Sequence, residues 1–214
     1  MSQQDPTLPQ QKLMASWPGQ PVDKNGILRV LNESGSKTPI LWIFNDANEP
    51  EILVKSLGED QPLFFSRSMH LIVQPNDDRD LVRKVLTDYL LKELCLHLPG
   101  VKLDMGANCQ GAGMLMRLSN MLRARDIDVE RLFLINCRLP DVPTNLPALL
   151  IYGDQDQQHD PFRSNPKRAN DRAMKLFSSY QRVMINAQHG RYFTTGSIEE
   201  IVDRMMAFRS SLRL

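Results

Sequence analysis

Cys109, Asp156 and His189, met in that order along the chain, have the types that covalent catalysis needs: a nucleophile, an acid that orients a base, and the base itself. The cysteine is the best marked of the three. It lies in Ala107-Asn108-Cys109-Gln110-Gly111, with small residues two before and two after it, as a sharp strand-to-helix turn requires when it holds a nucleophile in strained backbone. Val101, Leu103 and Met105 alternate before it as in a strand, and Leu115, Leu118 and Leu122 recur after it at helical spacing. Gly106, Ala112 and Gly113 leave room for that helix to press on the strand. The competing reading is a thiol buried at a helix start for packing alone.

Each partner is expected on a loop just beyond a strand. Asp156 follows the apolar run Ala148 to Tyr152, and His189 follows Arg182 to Ile185. Ligands collect at the carboxyl ends of parallel strands, so these are productive positions. Asp154 and Asn136 are secondary candidates for the acid's place; an amide at Asn136 could orient a histidine but not stabilise an imidazolium as a carboxylate does. His159, a further secondary site candidate, is expected on a surface loop or lining the mouth of the cleft. His70 and His97 lack a partner at useful spacing, and no HExxH or Cys/His cluster supports a metal, so neither metal nor cofactor is expected. An oxyanion would be held by the backbone N–H of Gln110 and by one from Asp46 or Ala47, in the loop after Ile40 to Phe44. That loop carries no glycine. A thiolate at Cys109 is expected at neutral pH, drawn down by His189 and the helix N-terminus.

Positioning these groups takes an alternation of strands and helices. Residues 1–25, rich in Gln and Pro, read as a flexible arm or linker, with Trp17 pinning its end. Residues 26–214 read as one domain. Ile27 to Leu31 and Ile40 to Phe44 look like a hairpin across the turn-like stretch Asn32 to Lys37. A short helix near Glu49 to Leu57, a strand Pro62 to Ser66, and an amphipathic helix opened by Asn76-Asp77-Asp78 and marked by Leu81, Val82, Val85, Leu86, Tyr89 and Leu90 follow. After the turn at Cys109 come strands at Leu132 to Ile135, Ala148 to Tyr152 and Arg182 to Ile185. Ile198, Ile201, Val202, Met205 and Leu212 mark a closing helix. The alternation implies a mostly parallel sheet with helices on both faces. Lys102 and Asp104 are awkward in its central strand, and Asp160 to Tyr180 is one helix or two.

Composition narrows the partners. Lys+Arg 26 against Asp+Glu 25 leaves a net charge of +1, with no basic stripe for nucleic acid. No run approaches the ~18 apolar residues of a membrane helix, and the first residues lack a signal-peptide pattern, so a cytoplasmic protein is expected. The three cysteines are odd in number and widely spaced, which argues against a disulfide framework.

From Ile40 onward the chain resembles the thioesterase domains of nonribosomal-peptide and polyketide synthases, which are α/β-hydrolases. LWIFNDANEP resembles their first core strand and oxyanion loop, PLFFSRS their next strand, and LDMGANCQGAGMLMRLSNMLRARDIDVERLFLINCRLP their elbow, long helix and following strand. WPGQPVDKNGILRVLNESGSKTPI is similar to the linker and strands that lead into such domains. The resemblance implies a nucleophile at Cys109, a base at His189, and an acid at or after the strands ending at Asn136 and Tyr152. It further implies action on acyl thioesters of an acyl carrier protein, phosphopantetheine or coenzyme A. Three departures stand out: cysteine for the commoner serine, an oxyanion loop without glycine, and about eleven residues between Asn136 and Ala148 where a helical lid is inserted in those domains. No substantial lid is therefore expected. Two alternatives remain: a non-catalytic module of this fold that binds an acyl chain or carrier, and a compact esterase similar to dienelactone hydrolases.

Overall fold

All five residues from Ile40 to Phe44 are buried, and such a run needs a strand at each edge and cover on each face. The computed structural model describes residues 5–125, 127–156 and 159–211; Leu212 of the expected closing helix and residues 1–4 of the expected arm lie outside them. In chain order the elements are α1 (Thr7–Met14), β1 (Gln20–Pro21), β2 (Arg29–Leu31), β3 (Ile40–Phe44), α2 (Glu49–Leu57), β4 (Leu63–Arg67), α3 (Arg79–His97) and β5 (Lys102–Asn108). A 3-10 turn, Cys109–Gly111, leads into α4 (Ala112–Arg123), followed by β6 (Asp128–Ile135), β7 (Pro147–Gly153), α5 (Pro161–Ser164), α6 (Pro166–Leu176), β8 (Ser179–Ile185) and α7 (Ser197–Ser211).

The strands form one eight-stranded sheet in the order β1-β2-β4-β3-β5-β6-β7-β8, parallel from β4 to β8 and antiparallel at β1 and β2. Side chains alternate across it. Leu41, Ile43, Met105 and Ala107 join a core with α3, α4 and α6, while Ile40, Trp42 and Phe44 join another with Met14 of α1, Leu53 of α2 and Ile201 of α7. Among the described residues no helix is long and apolar enough to cross a membrane.

Three expectations need correction or completion. The hairpin does not form, because β4 lies between β2 and β3 and pairs antiparallel with β2. Fully apolar β3 takes parallel neighbours on both sides, β4 and β5, which leaves the half-exposed β2 to the outer sheet. Nor is the segment before residue 26 a free arm in its described part: Gln10 and Met14 of α1 are buried, and Gln10 Nε2 donates to Ser66 Oγ at 3.3 Å and Arg67 O at 3.0 Å. Trp17 stacks on Phe65 with centroids 6.3 Å apart. The stretch after Asp160 is two helices, since Pro166 cannot donate an N–H and Asn165 caps the second by accepting from the Arg168 N–H at 3.0 Å.

Asp104 resolves its own awkwardness by pairing. It is fully buried on the α7 side of the sheet, with Arg209 Nε 2.6 Å from Oδ2 and Arg131 Nε 3.1 Å from Oδ1. Arg209 Nη1 also donates to Gln61 Oε1 at 2.9 Å. Lys102 begins the strand and is exposed.

Candidate active site

β5 runs between β3 and β6 and delivers Cys109 at its carboxyl end with φ 45°. A left-handed conformation is costly for a residue with a β-carbon, so the surroundings must impose it. They do so through close contact. A β-carbon at Gly111 would lie 2.6 Å from Ile43 O, and one at Gly106 would lie 2.2 Å from the Trp42 ring. The small residues flanking Cys109 are thus fixed by the packing of α4 and β3 on the turn.

His189 stands on the loop after β8 and Asp156 on the loop after β7. His189 Nδ1 lies 3.1 Å from Asp156 Oδ2 and 2.8 Å from the Asn136 amide nitrogen. A ring nitrogen that donates to the carboxylate cannot also receive an N–H. Turning the Asn136 amide end for end would set its oxygen against Nδ1–H, and that oxygen is otherwise buried without a hydrogen bond. Tyr192 closes the arrangement: its hydroxyl accepts the Gly153 N–H at 2.8 Å and bonds Asp156. Cys109, Asn136 and His189 line one cavity of about 210 Å³. With Nδ1 committed to Asp156, Nε2 is the ring nitrogen not engaged there.

His159, expected on a surface loop or at the mouth of the cleft, is partly buried and lines a cavity with Cys109. Its Nδ1 lies 2.9 Å from Asp156 Oδ1, and its ring stacks on His189 with centroids 4.1 Å apart and planes at 17°. Asp156 therefore serves two histidines, one per carboxylate oxygen. Donor atoms of Asp156, His159 and His189 fall within 4.8 Å of one another, but stacked rings cannot both aim an in-plane lone pair at one ion, and the geometry is that of shared hydrogen bonds. Asp154 is exposed, its N–H bonding Ile185 O at 2.9 Å and its carbonyl accepting from Arg163. It bonds neither histidine among the described residues.

The thiol departs from expectation. Burial pushes the Cys109 pKa up, with Asp156 and Glu49 adding to the rise, against the Gln110 N–H and Arg138, which draw it down. The helix N-terminus is present, but desolvation of a half-buried sulfur outweighs it. Burial thus favours the thiol over the thiolate at Cys109.

The loop after β3, where an oxyanion donor was expected, is organised by Glu49, which was not among the expected site residues. Its Oε2 accepts the Asn45 N–H at 2.9 Å and the Asp46 N–H at 3.1 Å, and its Oε1 accepts from Asn108 Nδ2 at 3.0 Å. Asp46, expected as an oxyanion donor, has its N–H committed inside the loop. The Ala47 N–H makes no hydrogen bond among the described residues, and that of Gln110 faces the Cys109 sulfur. Burial raises the Glu49 pKa. The signal was legible: Asp46-Ala47-Asn48-Glu49 has the spacing by which a first-turn glutamate reaches back to a backbone N–H.

Solved structures settle the fold. The NocB thioesterase domain, seen in covalent complex with a fluorophosphonate nocardicin G analogue, is similar with a TM-score of 0.66 and 12% identity over 85% of this chain and 98% of its own. ClbQ from the colibactin nonribosomal-peptide/polyketide pathway is similar with a TM-score of 0.62 and 12% identity over 83% and 99%. A serine hydrolase of carbazole degradation, CarC, gives 0.59 and 12% over 86% and 98%. This chain has the α/β-hydrolase fold. No family model matches its sequence, and no curated protein matches it. The mostly parallel sheet, the turn after β5 and the loops after β7 and β8 are the fold's frame. The 137–146 stretch between β6 and β7 holds no helix or strand.

Proposed function

We propose that this α/β-hydrolase is a thioesterase or acyltransferase acting on acyl thioesters, with Cys109 as nucleophile, His189 as base and then acid, and Asp156 as the orienting carboxylate. The observation that carries the reading is the left-handed Cys109 sharing a cavity with a histidine whose Nδ1 is bonded to a buried carboxylate. Because burial favours the thiol over the thiolate, proton removal accompanies attack. Nε2 of His189 takes the Sγ proton as Sγ bonds the substrate carbonyl carbon. The oxyanion meets the N–H groups of Gln110 and Ala47. Collapse breaks the bond to the leaving sulfur, which takes the proton back from Nε2 as a free thiol. Water or another nucleophile then loses a proton to His189 as it attacks the acyl-Cys109 thioester, and Sγ leaves and is reprotonated.

Cysteine suits thioesters, because attack exchanges one thioester for another, whereas an oxyester adduct favours expelling Cys109 again. The absence of a helix over 137–146 leaves room for a bulky acyl carrier protein, and coenzyme A presents the same thioester. A second reading, a non-catalytic binding module, is favoured by the Glu49 carboxylate that occupies the Asp46 N–H. The esterase reading shares the residues but not the leaving group. Matched acyl-S and acyl-O substrates decide between them. The expected outcome is at least tenfold preference for the thioester in kcat/KM, about 1.4 kcal/mol, with an acyl adduct on Cys109 by mass spectrometry that Cys109→Ala abolishes. Equal or better oxyester turnover supports the esterase, and no turnover with no adduct supports the binding module.

A further inference from the structure

Cys109 stands between two cavities of opposite electrostatic character. The one it shares with His189 carries the acids Asp46 and Glu49. The other, about 570 Å³, is lined by Arg79, Arg83 and Arg138 with His70 and His159, and no acidic residue is among the described lining groups. In a chain of net charge +1 this is a local concentration of cations, not a reflection of overall basicity. The Arg79 and Arg138 side chains make no hydrogen bond or ion pair among the described residues. Arg83 gives Nη1 to exposed Asp80 at 2.5 Å, but its Nε is buried without a hydrogen bond and lies beside Gly113 of α4, 3.5 Å from where a β-carbon there would stand. Arg138 already acts on the Cys109 sulfur, drawing its pKa down.

Guanidinium groups match carboxylates in geometry as well as charge. We infer that the acyl group this site accepts carries its own carboxylate, a few carbons from the thioester carbonyl, which enters the Arg79–Arg83–Arg138 cavity while the carbonyl rests at Cys109. The inference rests on the proposed thioester chemistry and names its substrate class, monothioesters of dicarboxylic acids. Asp46 and Glu49 in the other cavity disfavour such a group there. A pantetheine phosphate is the other available anion, but a long arm separates it from the sulfur, whereas these arginines share a chamber with the nucleophile.

The test uses N-acetylcysteamine thioesters, which carry no phosphate: glutaryl against its neutral amide counterpart, glutaramoyl. The expected result is a preference for glutaryl of at least about tenfold in kcat/KM that shrinks with salt and collapses towards one in Arg79→Gln/Arg138→Gln. Equal turnover of the pair overturns the inference and leaves the thioesterase reading standing. If instead glutaramoyl-coenzyme A outruns glutaramoyl-N-acetylcysteamine and loses that advantage in the arginine variant, the cavity takes the arm's phosphate and the acyl assignment is overturned. Should no substrate react, the thioesterase reading fails, and alkylation still decides the anion site. The iodoacetate to iodoacetamide rate ratio at Cys109, divided by that at Cys95, should exceed one and fall in the variant; a ratio of one or less sinks the proposal.

Discussion

Desolvation, more than any one charge, sets the chemistry of Cys109, and it decides how the sulfur should respond to pH. Burial raises its pKa, so reactivity near neutrality depends on proton transfer to His189. Iodoacetamide labelling of Cys109 at about pH 7 should slow at least tenfold in His189→Ala, and the gap should close towards about pH 10, where solvent supplies the thiolate. An unchanged rate at neutrality would mean His189 is not the base. Cys137 should stay unlabelled throughout, since complete burial pushes its thiol up to about 12. Glu49 supplies an independent pH signature. Its folded pKa is raised by burial, so the stability it contributes is fully present below its unfolded pKa and is lost as pH rises through the folded value. Glu49→Gln removes that loss. Whatever constant offset the amide introduces, the Tm of the variant minus that of the wild type should increase from about pH 4 to about pH 8; a flat difference would show that the carboxyl is not perturbed. Asp156 keeps His189 and Tyr192 when His159 is removed, so His159→Ala should cost less than about tenfold in kcat while His189→Ala abolishes turnover.

At the level of elements, what sequence revealed was local. The turn at Cys109 could be read from small residues within five positions, and α3 from acids before a helical apolar stripe, with Asp78 Oδ1 indeed accepting the Asp80 and Leu81 N–H groups at 2.9 and 3.1 Å. The neighbours of β2 could not be read. Pairing Arg29 with Phe65 rather than across the nearby turn is decided by what β3 must have at its edges, a property of the whole sheet. His159 was legible as a candidate for the cleft mouth, but not its bond to the carboxylate that also holds His189, because that arrangement joins two loops. The packing around the turn gives a sharp contrast between two glycines. Gly111→Ala forces a β-carbon to 2.6 Å from the Ile43 carbonyl oxygen, which belongs to backbone and cannot step aside, and should destabilise by about 1–3 kcal/mol. Gly113→Ala, whose β-carbon meets only the flexible Arg83 at 3.5 Å, should be neutral or stabilising by up to about 1 kcal/mol. Urea denaturation of both variants measures the difference, and equal effects would mean that α4 does not bear on β3 as described.

Across the whole molecule, one buried charge ties the middle of the sheet to the C-terminal helix. Asp104 sits 105 positions before Arg209, which bonds it at 2.6 Å, and Arg209 reaches as well to Gln61 at 2.9 Å and to the Thr38 carbonyl at 3.4 Å. Asp104, in β5, was legible only as an anomaly, since nothing near it in sequence neutralises a carboxylate on a covered face. Burial keeps its pKa raised in spite of both arginines, so desolvation is not fully offset and the pair is no surplus source of stability. Removing one partner is another matter. Arg209→Leu would leave Asp104 with Arg131 alone, whose close approach at 3.1 Å lacks hydrogen-bond alignment, and would strip a donor from Gln61 Oε1. The expected loss is about 3 kcal/mol, read as a lower urea midpoint at unchanged slope. Arg209→Lys keeps the charge but cannot present donors to Asp104, Gln61 and Thr38 together, and should fall between leucine and wild type. If leucine proved as stable as arginine, packing of α7 through Ile201, Met205 and Phe208 would be holding the helix without the ion pair, and Asp104 would be buried as the neutral acid.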